Sequence, residues 1–417
     1  MIQYKKFTLS NGMRVILHSD NNTPLVCVNM LYCVGAKDEN PQKTGFAHLF
    51  EHLMFSGSKN FPSFDKLVEE NGGESNAFTN NDFTNFYVTM PADKLEIALQ
   101  LERDRMDNLI ISGEKLDVQK SVVTEEYKQR YLNQPYGDVW LLLRELSYTT
   151  HPYRWSTIGK DISHIEKASI EDVKSFYDKF YIPQNVILCI AGNIDIDLVQ
   201  QLCENIFSSV QKGKAQLFSN ITARNLPQEP IQTASRAKIV KRQVPQRAVY
   251  ITFPMVRRMS QEYYVFDMLS DILSLGDSSR LYNTLVKEQN IFTHVNAFIS
   301  GDEDEGLFVL AGRLKDGVSF EQAKQALWKQ INNISTCEIT PKEIQKVKNK
   351  YEATFDLSLL KAMDRAQSLC YYEYLGNIGL INDEVKNYQA VKIEDIRQIA
   401  RSTFKEEKSN ILYYDTL

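Results

Sequence analysis

Apolar residues gather in short runs at 13–19, 25–35, 185–190, 247–253, 306–313 and 410–414. Runs of that length, rich in Val, Ile, Leu and aromatic residues, predict β-strands. Helical spacing predicts helices near 46–56, 92–109, 114–132, 261–275 and 341–374. One arrangement occurs twice. Ile170-Glu171-Asp172-Val173 opens a helical pattern, and the apolar run Asn185-Val186-Ile187-Leu188-Cys189-Ile190 follows it. Ile393-Glu394-Asp395-Ile396 opens another, and Asn410-Ile411-Leu412-Tyr413-Tyr414 follows, about 223 residues later. That separation is too long for a solenoid and fits a duplicated domain of roughly 200 residues. A polar stretch with little periodicity, containing Asn220, Asn225, Pro227 and Pro230, lies between the copies. The expected division is therefore a first domain over 1–212, a linker over 213–238 and a homologous second domain over 239–417. Each domain mixes strands and helices, so the expected class is α+β, a β-sheet packed with helices in each half.

Composition narrows the function. The 417 residues are 43% hydrophobic and 24% charged, which suits a soluble globular chain. Lys and Arg number 48 against 53 Asp and Glu, for a net charge of −5. Without a basic excess, nucleic-acid binding is not expected. No stretch approaches the roughly 18 apolar residues of a membrane span. Residues 1–11 do not read as a secretory leader, so the cytoplasm is the expected location. The cysteines Cys27, Cys33, Cys189, Cys203, Cys337 and Cys370 form no CxxC pair and read as free, buried thiols.

The strongest chemical signal is His48-Leu49-Phe50-Glu51-His52, in a stretch free of proline and internal glycine from Phe46 to Ser56. On a helix, positions i, i+3 and i+4 share one face, so His48, Glu51 and His52 project together. Two imidazoles one turn apart can grip one zinc ion, and Glu51 can reach a water beside it. The order HxxEH is the inverzincin pattern. A catalytic zinc takes a third protein ligand. Val122-Val123-Thr124-Glu125-Glu126 lies on a helical pattern and offers two carboxylates. Adjacent helix positions point about 100° apart, so only one of Glu125 and Glu126 can face the metal. His18, His151 and His164 read as structural histidines.

These residues together resemble the pitrilysin family of zinc metallopeptidases, and within it the bacterial relatives of the mitochondrial processing peptidase. The resemblance spans nearly the whole chain. Its most specific block is Gly45-Phe46-Ala47-His48-Leu49-Phe50-Glu51-His52-Leu53-Met54-Phe55-Ser56-Gly57-Ser58. Gly72-Gly73-Glu74-Ser75-Asn76-Ala77-Phe78-Thr79, His151-Pro152-Tyr153 and Ser278-Ser279-Arg280-Leu281 match further blocks.

The resemblance implies a zinc-dependent endopeptidase with one Zn2+ per chain. His48, His52 and Glu126 would be the ligands and Glu51 the general base. Glu74, Ser75, Asn76, Ala77 and Phe78 would form an edge strand that pairs with extended peptide. Two departures stand out. Gln119 occupies a position where the family often has Glu. Val286 and Thr293 occupy the positions of an Arg and Tyr that hold substrate in active relatives; Lys287 and His294 sit one place off. Some bacterial relatives divide the work between a zinc-bearing chain and a zinc-free chain carrying the Arg/Tyr pair. The resemblance therefore implies the zinc-bearing subunit of a heterodimer, with a homodimer as the other arrangement. The alternative is a catalytically silent structural or assembly subunit.

Overall fold

The computed structural model describes residues 1–210, 226–301, 303–336 and 339–417. The chain forms two compact units, each built on one sheet.

The first unit comprises Met1–Lys128, Trp155–Leu226 and Asp356–Asn382. Its strands are β1 (Lys5–Thr8), β2 (Arg14–Ser19), β3 (Leu25–Tyr32), β4 (Glu74–Thr79), β5 (Thr84–Pro91) and β6 (Val186–Gly192). They lie in the order β1-β2-β6-β3-β5-β4, with β2 and β6 parallel and every other pair antiparallel. Its first helices are α1 (Phe46–Leu53), α2 (Phe64–Glu70), α3 (Leu95–Asp107) and α4 (Gly113–Tyr127). α3 packs on β3 and β5, and the helix Ala362–Tyr374 packs on β2, β3 and β6. A strand covered by helices on both faces has no side for polar residues. That is why β6 is buried at every position and reads as an unbroken apolar run.

The second unit comprises Gln129–Arg154, Pro227–Phe355 and Asp383–Leu417. Its strands are β7 (Arg236–Arg242), β8 (Ala248–Pro254), β9 (Phe292–Ser300), β10 (Leu307–Leu314) and β11 (Asn410–Thr416), in the order β7-β11-β8-β10-β9. Val249, Ile251, Phe253, Met268, Leu269, Phe308 and Leu310 are central to its core.

The second sheet repeats β2-β6-β3-β5-β4, down to one parallel pair at the same place, β7 with β11. The duplicated α+β architecture expected from the repeat is present. The helices Ile170–Phe180 and Ile393–Thr403 are its two copies.

The units are not simply the two halves of the chain. The helix Val139–Ser147 packs on β7, β8 and β11, whereas Ala362–Tyr374 packs on the first sheet. These helices also begin 223 residues apart (362 − 139). Each copy of the repeat thus lends this helix to the sheet formed by the other.

Three expectations change. The 341–374 pattern is two helices, Pro341–Ser358 and Ala362–Tyr374, that belong to different units. Tight turns (Leu359 N–H to Asp356 O, Leu360 N–H to Leu357 O) end the first helix without the Gly or Pro that would mark a break. The expected linker 213–238 overlaps β7, which starts at Arg236. β7 is a basic edge strand with little alternation, so its apolar signal is weak. Residues 213–225 of that linker lie outside the described residues. The 114–132 pattern passes from α4 into a π-helical stretch, Lys128–Leu132. Cys27, Cys189, Cys203 and Cys370 are buried, free thiols, Cys33 is buried with its Sγ accepting from Arg14 at 3.2 Å, and Cys337 lies outside the described residues. Among the described residues, no helix is long and apolar enough to cross a membrane.

Candidate metal centre

α1 is a two-turn helix seated on aromatic rings. Phe50, fully buried, stacks on Phe176 at 5.3 Å and on Tyr181 at 4.8 Å between ring centroids. Tyr177 locks the far side of this bed by donating its hydroxyl to Arg105 O and Met106 O. With Phe46, Leu49, Phe50 and Leu53 committed to the core, the opposite face carries His48, Glu51 and His52. The two imidazole centroids are 4.9 Å apart, with the rings near perpendicular at 81°.

α4 packs against α1 and supplies the third group. Ser112 caps α4 by accepting from Lys115 N–H. Val123 is fully buried, and Gln119, Val123 and Glu126 follow one another on its inward face. Glu125 points outward and meets Lys128 at 2.6 Å. Burial of Val123 therefore turns Glu126, and not Glu125, towards the two histidines. Glu126 Oε2 lies 3.6 Å from His48 Nε2 and 3.4 Å from His52 Nε2. One ligand atom from each of the three residues lies within 4.8 Å of the others.

These distances test the fit of a metal. They exceed a good N–H···O hydrogen bond, which runs to about 3.2 Å. They match the roughly 3.4 Å edge of a tetrahedron with bonds of about 2.1 Å, as zinc makes with imidazole and carboxylate. Two imidazoles and one carboxylate are also a donor set typical of catalytic zinc. The residues present fit the ion.

Glu51 is half-buried beside this trio. Burial, and to a smaller degree the neighbouring Glu51 charge, raises the Tyr181 phenol well above its ordinary range. Tyr181 is therefore neutral, in the aromatic bed beneath α1. Gln119 donates to Ser56 Oγ at 3.3 Å, tying α4 to the segment that follows α1. β4 lies at the edge of the first sheet and packs beside α1. Its exposure alternates from Glu74 through Ser75, Asn76, Ala77 and Phe78. Ala77 N–H donates to Asn76 Oδ1, and Ser75 Oγ donates to Asp65.

In the second unit, Val286 packs against the core and Thr293 Oγ1 donates to Gln246 Oε1. The Lys287 ammonium lies 5.0 Å from the Tyr282 ring centroid, and His294 Nε2 pairs with Asn296. His18, His151 and His164 are engaged with Gln3 O, Asp304 and Thr44 respectively. Sequence reasoning missed Glu39, whose carboxylate accepts from Gly45 N–H and Ala47 N–H at the start of α1. Its only trace in the sequence is the second of two adjacent acids, Asp38 and Glu39, nine residues before His48, and no periodicity marks that.

Two family models match the chain. One, described as Insulinase (Peptidase family M16), covers residues 14–148; the other, described as Peptidase M16 inactive domain, covers residues 167–351. The chain is 27% identical to Zinc protease PqqE of Helicobacter pylori, over 99% of this chain and 92% of that protein. The crystal structure of a protease from Helicobacter pylori superposes with a TM-score of 0.91 at 26% identity and covers both chains completely. The periplasmic protease PqqL from Escherichia coli, at 17% identity, superposes with a TM-score of 0.80 over 99% of this chain but only 47% of its own.

Proposed function

Since the chain belongs to peptidase family M16, the pitrilysin family, we propose that it is a zinc-dependent endopeptidase acting on peptides or short unfolded polypeptides. His48, His52 and Glu126 are the proposed ligands and Glu51 the proposed general base. The observation that carries this reading is the placement of Glu126 Oε2 within 3.4 and 3.6 Å of the two Nε2 atoms. The match described as an inactive domain begins at residue 167, beyond all four of these residues.

Zinc, when bound, supplies the Lewis acidity that makes water nucleophilic near neutral pH and polarises a carbonyl. The chain's own residues do the rest. Glu51 accepts the proton that water loses on attack and passes it to the leaving amine. β4 offers main-chain groups to an extended peptide, a sequence-tolerant mode of binding. The outward residues Glu74, Asn76 and Phe78 flank the bound strand.

The test compares the parent with Glu51→Gln. The parent is expected to carry about one zinc per chain and to cleave a quenched peptide. The variant is expected to keep its zinc and lose turnover by about 10³-fold or more. Equal turnover in both would remove Glu51 from its role.

The half-length match to PqqL supports a partner of the same fold, because that chain holds about two copies of this length. With Val286 and Thr293 at the substrate-holding positions, the proposed partner is a homologous zinc-free chain carrying Arg and Tyr. A homodimer is the other arrangement, and a cytoplasmic location belongs to the same proposal. The second reading, a silent structural subunit, is favoured by those same two residues. It prevails if the zinc-loaded chain cleaves nothing even with its homologous partner.

A further inference from the structure

We propose that Glu39 is a positioning residue of the metal centre: its carboxyl group replaces the missing N-terminal cap of α1 and so sets where His48 and His52 project. The first N–H groups of any helix lack partners within it, and a side chain at the cap position ordinarily supplies one. α1 has Gly45 there, with φ +91° and no side chain to offer. No other residue fits, because a Cβ at Gly45 would stand 2.9 Å from Ile158 O and 3.0 Å from Ile165 Cδ1. Glu39 fills the role from outside the helix. Its Oε2 accepts from Gly45 N–H and its Oε1 from Ala47 N–H, each at 2.8 Å, and the residue is only 6% exposed.

Two bonds from one rigid carboxylate constrain more than one would. They hold the helix end in place and resist rotation about its axis, since the two amide nitrogens stand at different positions around it. Rotation matters here. A ring nitrogen about 6 Å from the axis moves roughly 2 Å for a 20° turn, which is as long as a bond to zinc. Ala47 adjoins His48, so the clasp acts one residue from the first ligand. On the other side of the entry loop, Thr44 N–H donates to His164 Nδ1 at 3.2 Å.

This inference rests on the reading that His48, His52 and Glu126 hold zinc. Glu39→Gln keeps the size of the side chain but presents an amide NH2 to one of the two N–H donors. Glu39→Asp keeps the carboxyl group but is too short to span both. The experiment measures Zn2+ dissociation constants by chelator competition, and hydrogen exchange at Gly45 and Ala47 in metal-free chain. Both variants are expected to weaken zinc binding by about ten- to a hundredfold, the usual range for partners that orient ligands. Faster exchange at the two amides should accompany the loss. Zinc affinity within twofold of the parent, or unchanged exchange, would overturn the proposal. Should Glu39→Gln fail to fold, Glu39→Asp carries the same two readouts. A parent that binds no zinc would sink the proposed ligand set instead, while the exchange experiment would still report on the clasp.

Discussion

Glu125 and Glu126 are chemically identical and adjacent, and one buried valine separates their fates. With Val123 turned into the core, Glu126 faces the histidines and Glu125 faces Lys128. Glu126→Gln should therefore weaken zinc binding by at least about tenfold and Glu125→Gln by less than twofold, read by chelator competition. Carboxyls elsewhere make opposite pH signatures. Burial pushes Glu39 up to about 8 from 4.5, against the pull of the Ala47 and Gly45 amides. The folded chain then holds a proton the unfolded chain releases, so this contribution is full below about 4.5 and is lost as pH rises through about 8. Chemical denaturation across that window should show the parent losing stability relative to Glu39→Gln. At Glu343 burial also opposes ionisation. The Arg280 fork and the Thr340 amide and hydroxyl outweigh it, and hold the carboxyl at about 2. Its contribution is present above 4.5 and fades as pH falls towards about 2; Glu343→Gln should flatten that acid limb. Glu102 and Arg105 form a fully buried pair beneath Phe55, Phe64 and Phe86. Glu102→Gln leaves a buried guanidinium without its counter-charge and should cost about 3–5 kcal/mol in denaturant melts.

At the scale of elements, α1 was the most legible part of the site, because its apolar and chemical faces both follow the helical period. β4 was legible as a strand from its composition, but its place at the sheet edge is a matter of pairing partners that no local pattern encodes. The edge has a direct test. Ala77 N–H donates to its neighbour's side chain, a partner that a bound peptide strand can replace. Ala77→Pro removes that donor at a position where an edge strand tolerates proline. KM should rise about fivefold, the worth of roughly one hydrogen bond, with kcat little changed in steady-state kinetics. A change in kcat alone would argue that β4 does not hold substrate. The break at 359–361 was invisible for the converse reason, since no residue there opposes helix formation and only the destinations of the two helices force the turn.

For the molecule as a whole, the lent helices matter most. A fragment ending at residue 212 contains β1–β6 and every proposed zinc ligand, yet it lacks Ala362–Tyr374, which covers β2, β3 and β6. Cys370, Leu369 and Ala366 of that helix are fully buried. The fragment should bind a hydrophobic dye and melt without a cooperative transition, while the full chain melts cooperatively. Mixing the full chain with a homologous chain that supplies the Arg/Tyr pair should raise kcat/KM well above that of either alone; full activity from this chain by itself would count against a divided site. Sequence alone was enough for the duplicated α+β plan, the helix bearing His48, Glu51 and His52, and a carboxylate at 125 or 126, because periodicity and side-chain chemistry are local properties. The tertiary structure decided which carboxylate turns inward, which strand forms the edge, which sheet each lent helix covers, and that Glu39 closes the end of α1. Each of those depends on contacts between residues far apart in the chain, whose free energy is gained only once the core has formed and leaves no period to read.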